Sequence, residues 1–266
     1  MKLKEKYGFD DLLEIMARLR GENGCPWDKE QTHESLRIYM IEETYEVLEA
    51  LDSGDKGRFC NELGDLLLQI VFHAQIAKEN GDFDIGDVIT EVCKKLISRH
   101  PHIFGNVKAD TAEEVIENWE AIKKKEKKLK SQTGVLKDVP KNLPALMRSY
   151  KVQQKAAQVG FDWDNIEDVF RKVEEEIQEL RDVYKSNNVE RITDELGDAF
   201  FALVNLARFL NVQPELALNG TISKFIKRFE YIEQQSMKAG KKLEEMSLSE
   251  MDALWNEAKI QLSDKQ

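Results

Sequence analysis

Three cysteines, five prolines and fourteen glycines are few for 266 residues, and each shortage excludes something. An odd set of cysteines, Cys25, Cys60 and Cys93, without CxxC or Cys/His ligand spacing, excludes a disulfide framework and a zinc site. The thiols are expected to be reduced, with at least two of them in the core. Long apolar runs are missing too. The most apolar stretch, Leu63 to Ala77, is broken by Asp65, Gln69, His73 and Gln75, far short of the ~18 uninterrupted apolar residues of a membrane span. The opening Met1-Lys-Leu-Lys-Glu-Lys runs into Tyr7-Gly-Phe-Asp-Asp without the apolar stretch of a signal peptide, so a cytoplasmic location is expected. Positive charge is in deficit: 39 Lys and Arg face 50 Asp and Glu, a net charge of −11. That balance argues against a nucleic-acid binder, which needs a basic surface. The one basic run, Lys123-Lys-Lys-Glu-Lys-Lys-Leu-Lys130, reads as a solvated helix end entering a linker rather than an anion patch.

What is present is helical. With 41% hydrophobic and 33% charged residues, the chain has material for a core and too much of it for disorder. Its length suits one large or two smaller domains. Apolar residues recur at helical spacing and no segment alternates as a strand does. Helices are expected over 32–51, 57–78, 85–100 and 111–130, the last opened by a Thr111/Glu114 capping box. Gly134, Pro140 and Pro144 mark residues 131–144 as a linker.

The second half repeats the first. Glu42, Glu43, Glu46, Glu62 and Asp65 return 133 residues later as Glu175, Glu176, Glu179, Glu195 and Asp198, and Glu-Leu-Gly-Asp starts an apolar helix in both halves. Lys95 and Arg99 return as Lys224 and Arg228, and each half opens with Trp-Asp, at Trp27 and Trp163. The chain therefore divides into an all-α repeat over 1–130, the linker 131–144 and a second repeat over 145–266. Two copies of so long a period do not make a solenoid.

The repeated acids carry the chemistry. Residues three or four apart share a helix face, so Glu43 with Glu46 and Glu62 with Asp65 face one another across an antiparallel helix pair. Glu176, Glu179, Glu195 and Asp198 do the same. Four carboxylates that close stay ionised only around a cation, and all-oxygen ligation suits Mg²⁺, with Mn²⁺ as a substitute. Lys224 and Arg228, or Lys95 and Arg99, would clamp the phosphates of a phosphate ester held by the metal. Such equipment suits displacement at phosphorus by an activated water. Gly64 and Gly197, each costly inside a helix, suggest close helix approach beside the acids. All four histidines lie in the first half, so a mechanism shared by both repeats needs none; His73 is as readily a hydrogen-bonded structural residue as a site neighbour. Trp255 suits either stacking on a base or core packing.

These residues resemble the MazG family of nucleoside triphosphate pyrophosphohydrolases, in the all-α NTP pyrophosphatase group. The likeness rests on Gly24-Cys-Pro-Trp-Asp28 with Gln31-Thr-His33, Glu42-Glu-Thr-Tyr-Glu46, Arg99-His-Pro-His-Ile-Phe-Gly105, Lys155-Ala-Ala-Gln-Val-Gly-Phe-Asp-Trp163, Glu175-Glu-Ile-Gln-Glu179 and the two Glu-Leu-Gly-Asp segments. It implies two tandem four-helix-type bundles, a homodimer, and Mg²⁺-dependent cleavage of (deoxy)nucleoside triphosphates between the α and β phosphates. It implies Glu176, Glu179, Glu195 and Asp198 as metal ligands and Lys172, Lys224, Arg228 and Trp255 as nucleotide contacts, with the second repeat as the main catalytic unit. Nothing in Glu43, Glu46, Glu62, Asp65, Lys95 or Arg99 marks the first repeat as dead, so it stands as a second possible site. Glu175 is a candidate base on a different part of the helix face. A di-iron bundle would need Glu-x-x-His twice, and Asp stands where its His would be. The remaining alternative is a non-catalytic Mg-nucleotide-sensing or scaffold module.

Overall fold

A computed structural model describes residues 3–127 and 131–263. Among them every regular element is a helix, as the spacing predicts, and the chain divides at Glu126/Lys127 into two compact units. The first contains α1 (Phe9–Arg20), α2 (Pro26–Glu30), α3 (Arg37–Ser53), α4 (Lys56–Asn80), α5 (Ile85–Arg99), α6 (Pro101–Phe104) and α7 (Ala112–Glu126). The second contains α8 (Gln132–Lys137), α9 (Ala145–Ala157), α10 (Ile166–Val183), α11 (Val189–Phe209), α12 (Pro214–Lys238), a 3₁₀ turn (Leu243–Glu245) and α13 (Leu248–Ser263).

The heart of each unit is a helical hairpin, α3 with α4 and α10 with α11. Its turns follow from local chemistry. Gly54 takes the left-handed conformation (φ 71°) that ends α3, and the Asp55 side chain then caps α4 by accepting from the Gly57 and Arg58 amides. In the second unit Asn187 is left-handed (φ 56°) and Asn188 caps α11 by accepting from Arg191 N–H. A third helix lies across each hairpin, α1 on α4 and α9 on α11. In the first unit Met16, Leu36, Val71, Phe72 and Ile76 form the buried core with Leu12, Leu13 and Leu68 against it. Each such side chain contributes roughly 1.5–3 kcal/mol by leaving water.

Five local expectations are corrected. α3 starts at Arg37, not at 32, because Thr32 and Ser35 spend their hydroxyls on local bonds: Thr32 Oγ1 accepts from Ser35 N–H at 3.2 Å and Ser35 Oγ–H donates to Gln31 Oε1 at 2.7 Å. Residues 131–144 are not free linker. They carry α8, capped by Ser131 and packed on α9, with Gln132 Nε2 donating to the Lys155 carbonyl at 2.6 Å and Val139 buried. None of the three cysteines is buried, and Cys60 and Cys93 are exposed. Gly64 and Gly197 mark no close approach, since a Cβ on either would meet open space. At α7, Glu114 N–H donates to Thr111 Oγ1, but the Glu114 carboxylate turns to Asp110 N–H, so the box is half formed. Of the basic run, Lys123–Lys125 close the last turn of α7, where the helix dipole favours cations, and Lys127 pairs with Asp138 at 2.7 Å; 128–130 fall outside the described residues.

Candidate functional site

The α10–α11 hairpin brings Glu176, Glu179 and Glu195 together, with one carboxylate oxygen from each within 4.8 Å of the others. Glu176 is only 6% exposed, although it is charged. Its compensation is Lys172, one turn earlier, whose Nζ donates to Glu176 Oε1 at 2.6 Å and to Glu175 Oε1 at 2.8 Å. Those two hydrogen bonds push the Lys172 pKa up, fixing a full positive charge at the cluster's edge. Glu175 itself is exposed, paired with Lys172 and outside the cluster. Burial, then the charge of Glu176 and a hydrogen bond to it, then Glu195, raise the Glu179 carboxyl above its ordinary range.

The first unit repeats the construction with a different membership. Glu43, Glu62 and Asp65 converge within 4.8 Å, and burial followed by the charges of Asp65, Glu46 and Glu62 raises Glu43. The fourth acid of each expected set, Glu46 in the first unit and Asp198 in the second, falls outside the tight group; both are exposed, as Glu179 is within its group. Asp198 nevertheless shares the wall of an adjacent cavity with Glu176. Three convergent carboxylates with no nitrogen or sulfur among them, one of them held above its ordinary pKa, fit a hard divalent cation of the Mg²⁺ or Mn²⁺ kind.

The cavity measures about 590 Å³ and lies wholly within the second unit. Lys172, Glu176 and Asp198 stand on its wall, and Phe161, Trp163 and Gln153 line it as well. Lys224, Arg228 and Trp255 do not line it. They form a group of their own on α12 and α13, with Arg228 5.4 Å from the Trp255 ring centre, Phe225 against the same ring at 5.1 Å, and Lys224 exposed.

The corresponding group in the first unit differs in an ion pair and in the side chain against the ring, His100 at 5.0 Å from Trp119 where Phe225 stands against Trp255. Arg99 sits 5.8 Å from the Trp119 ring centre but is also gripped by Glu126, Nη2 to Oε2 at 2.6 Å; Lys95 is exposed. Sequence reading passed over Trp119, although it too follows a Lys-x-x-x-Arg on the next long amphipathic helix. It also passed over Tyr39, which stands 133 residues before Lys172, so the first unit lacks the lysine that compensates Glu176. His73 is drawn into a structural pair: its Nδ1 lies 2.8 Å from His33 Nδ1 with the rings 2° from parallel.

A MazG nucleotide pyrophosphohydrolase domain matches the chain twice, over residues 31–104 and 165–232, which are the stretches that hold the two carboxylate groups. A protein of Thermotoga maritima named nucleoside triphosphate pyrophosphohydrolase/pyrophosphatase MazG is 45% identical over 94% of this chain and 95% of its own length. A nucleoside triphosphate pyrophosphohydrolase of Escherichia coli K12 is 44% identical over 95% and 97%. The Bacillus subtilis protein YabN is 50% identical over 94% of this chain, which spans 51% of YabN.

Proposed function

The chain belongs to the MazG family of nucleotide pyrophosphohydrolases, and from that we propose that it hydrolyses (deoxy)nucleoside triphosphates between the α and β phosphates with Mg²⁺. The observation that carries this reading is the convergence of Glu176, Glu179 and Glu195 on one face of the α10–α11 hairpin, beside a cavity of nucleoside size. A divalent cation bound there would supply charge neutralisation for the triphosphate and Lewis acidity at phosphorus. Glu176, Glu179, Glu195 and Asp198 would hold it, with Mn²⁺ a workable substitute.

The chain's own residues then do the following. Lys172 donates to Glu175 and Glu176 and offers its remaining N–H to a phosphate oxygen. Water attacks the α phosphorus, its proton passes to a carboxylate of the cluster, and the bond to the α–β bridging oxygen breaks, so that oxygen leaves on pyrophosphate. Lys224 and Arg228 stabilise the charge on that leaving group, and Trp255 holds the Arg228 guanidinium in place by a cation–π contact. The products, nucleoside monophosphate and pyrophosphate, suit removal of unwanted nucleotides or stress-linked control of the pool, in the cytoplasm.

A homodimer is part of the same reading. Leu196, Phe200 and Leu203 make an exposed apolar stripe on α11, and Ile222, Ile226 and Phe229 make another on α12. Stripes of that kind mark protein–protein interfaces in soluble proteins.

Anion-exchange analysis of products from each common NTP and dNTP, with Mg²⁺ and with chelator, tests the proposal. Monophosphate plus pyrophosphate in the presence of metal alone is the expected result, abolished in Glu179→Gln and in Asp198→Ala. Diphosphate plus orthophosphate would overturn the α–β assignment, and nucleotide binding without turnover would leave a sensor or scaffold in its place.

A further inference from the structure

Taking the ligand's class from that reading, we infer that Glu126 is a built-in competitor: its carboxylate fills an anion seat formed on α5 by Lys95, Ser98 and Arg99, and a condensed phosphate enters that seat only by displacing it. The seat is closed at rest, and the first unit binds such a ligand weakly while Glu126 keeps its charge.

What sits in the seat shows its chemistry. Lys95, Ser98 and Arg99 are three and four residues apart and share a face of α5. Arg99 Nη2 and Nε donate to Glu126 Oε2 at 2.6 and 3.1 Å. Ser98 Oγ–H donates to Glu126 Oε1 at 3.0 Å and, less closely, to the Lys95 carbonyl at 3.2 Å. The Arg99 hydrogen bonds above all, then the Ser98 bond and the charges of Arg99 and Lys95, hold the Glu126 carboxyl below its ordinary range against a smaller cost of desolvation. Arg99 is 14% exposed at its side chain and rests on Trp119, so its fork is aimed before any ligand arrives. Lys95 is exposed and makes no ion pair among the described residues, so its charge is left for a larger anion. A guanidinium fork beside a hydroxyl and a lysine takes phosphate oxygens by the same bonds as a carboxylate, and a phosphate brings more charge and a third acceptor oxygen.

The competitor is placed where it can leave. Glu126 is the last residue of α7 and of the first unit, so its carboxylate can swing off Arg99 by fraying one helix end, with no core residue disturbed. Its side chain is 34% exposed, and a pair so open to water holds less firmly than a buried one. The second unit has no such competitor. Glu126 follows Trp119 by seven positions, and the same step from Trp255 reaches Leu262. Arg228 accordingly keeps its ring contact and makes no ion pair among the described residues. Ser98 is particular to the first unit as well, since the residue before Arg228 is Lys227.

Isothermal titration calorimetry on the full chain reads the competition. Arg228→Ala removes the phosphate clamp of the second unit, chelator keeps nucleotides intact, and inorganic pyrophosphate and ATP are the two titrants. Glu126→Gln, which keeps the shape of the side chain and removes its charge, is expected on that background to tighten pyrophosphate binding about 10-fold. Adding Ser98→Ala, which changes no charge, or Lys95→Ala, at an exposed position, should take most of that gain away. A gain for both titrants identifies the condensed phosphate itself as the ligand, and a gain confined to ATP identifies the phosphate tail of a nucleotide. Binding that is unchanged, weaker or undetectable for both titrants in Glu126→Gln would overturn the inference and leave Glu126 as a helix-end clasp. A gain that survives both Ser98→Ala and Lys95→Ala would overturn it too, by putting the anion elsewhere. The readout is binding without turnover, so its failure is separate from a failure of the proposed function, which product analysis reads.

Discussion

Glu179 links the site to stability. Its folded-state pKa is raised, by burial first and by its acidic neighbours second, so its protonated form is the better tolerated one without metal. For such a group the stabilising contribution is present below the unfolded value, about 4.3 for glutamate, and is lost as pH rises through the folded value. In chelator, the difference in Tm between Glu179→Gln and the unmutated protein should therefore widen in favour of the variant from pH 5 to pH 7.5. Saturating Mg²⁺ should reverse the sign, raising the Tm of the unmutated protein more at pH 7.5 than at pH 5. No Mg²⁺ increment at either pH would mean that the cluster binds no metal. Scanning calorimetry at the two pH values, with and without metal, gives all four numbers.

Gly197 supplies a second prediction at this scale. The sequence shows a glycine inside a helix, which implies a steric reason, but the steric reason is not there: a Cβ would enter open space. Gly197→Ala should accordingly stabilise the second unit by up to about 1 kcal/mol, read from urea unfolding. A destabilised variant would mean that a neighbour closes on this position. The carboxylates were legible because their spacing is a property of the helix alone. The glycines were not, because spacing carries no information about what faces a position across space.

At the scale of elements, the helical hairpins were legible for the same reason, since apolar periodicity and the Ser-Gly-Asp stop at 53–55 are local signals. Elements set by tertiary contact were not. α8 reads as linker because Gly134 and Pro140 dominate its neighbourhood, yet Gln132 finds Lys155 and Val139 finds a core. Arg20, in the last turn of α1, is 7% exposed at its side chain and ties α1 to the far end of α4. Its Nε and Nη2 donate to Glu79 at 2.8–3.0 Å and its Nη1 to the carbonyls of Asp28 and Gln31. Arg20→Ala strands those acceptors, and the first unit should lose about 2–3 kcal/mol in urea unfolding. A loss below ~0.5 kcal/mol would place this network with the weak surface pairs.

At the scale of the whole molecule, surface and charge bear on how many chains assemble and on which repeat works. The apolar stripes on α11 and α12 should be covered by a second copy, so sedimentation equilibrium should give a dimer at micromolar concentration, and Phe200→Glu with Ile226→Glu should give monomers. A monomeric unmutated protein would sink that reading. The division of labour follows from comparing like positions. Both units gather three carboxylates within 4.8 Å, so the acids alone do not rank them. The cations do. Lys172 stands against Glu176 in the second unit, where the first has Tyr39, and Arg99 in the first unit is gripped by Glu126 at 2.6 Å, whereas Arg228 rests on Trp255. An arginine already committed to a carboxylate must lose that pair before it can take a phosphate oxygen, and the cation beside the first cluster, Arg58 at 3.7 Å from Glu62, is likewise committed to Glu49 at 2.7 Å. The second unit is therefore expected to carry turnover: Glu176→Gln should lower kcat at least about 100-fold, while Glu43→Gln should change it less than about 3-fold. Equal losses from the two substitutions would mean that both repeats contribute to one activity, and the Arg99–Glu126 pair would then have to open during the cycle, which Glu126→Gln should make easier and visibly faster.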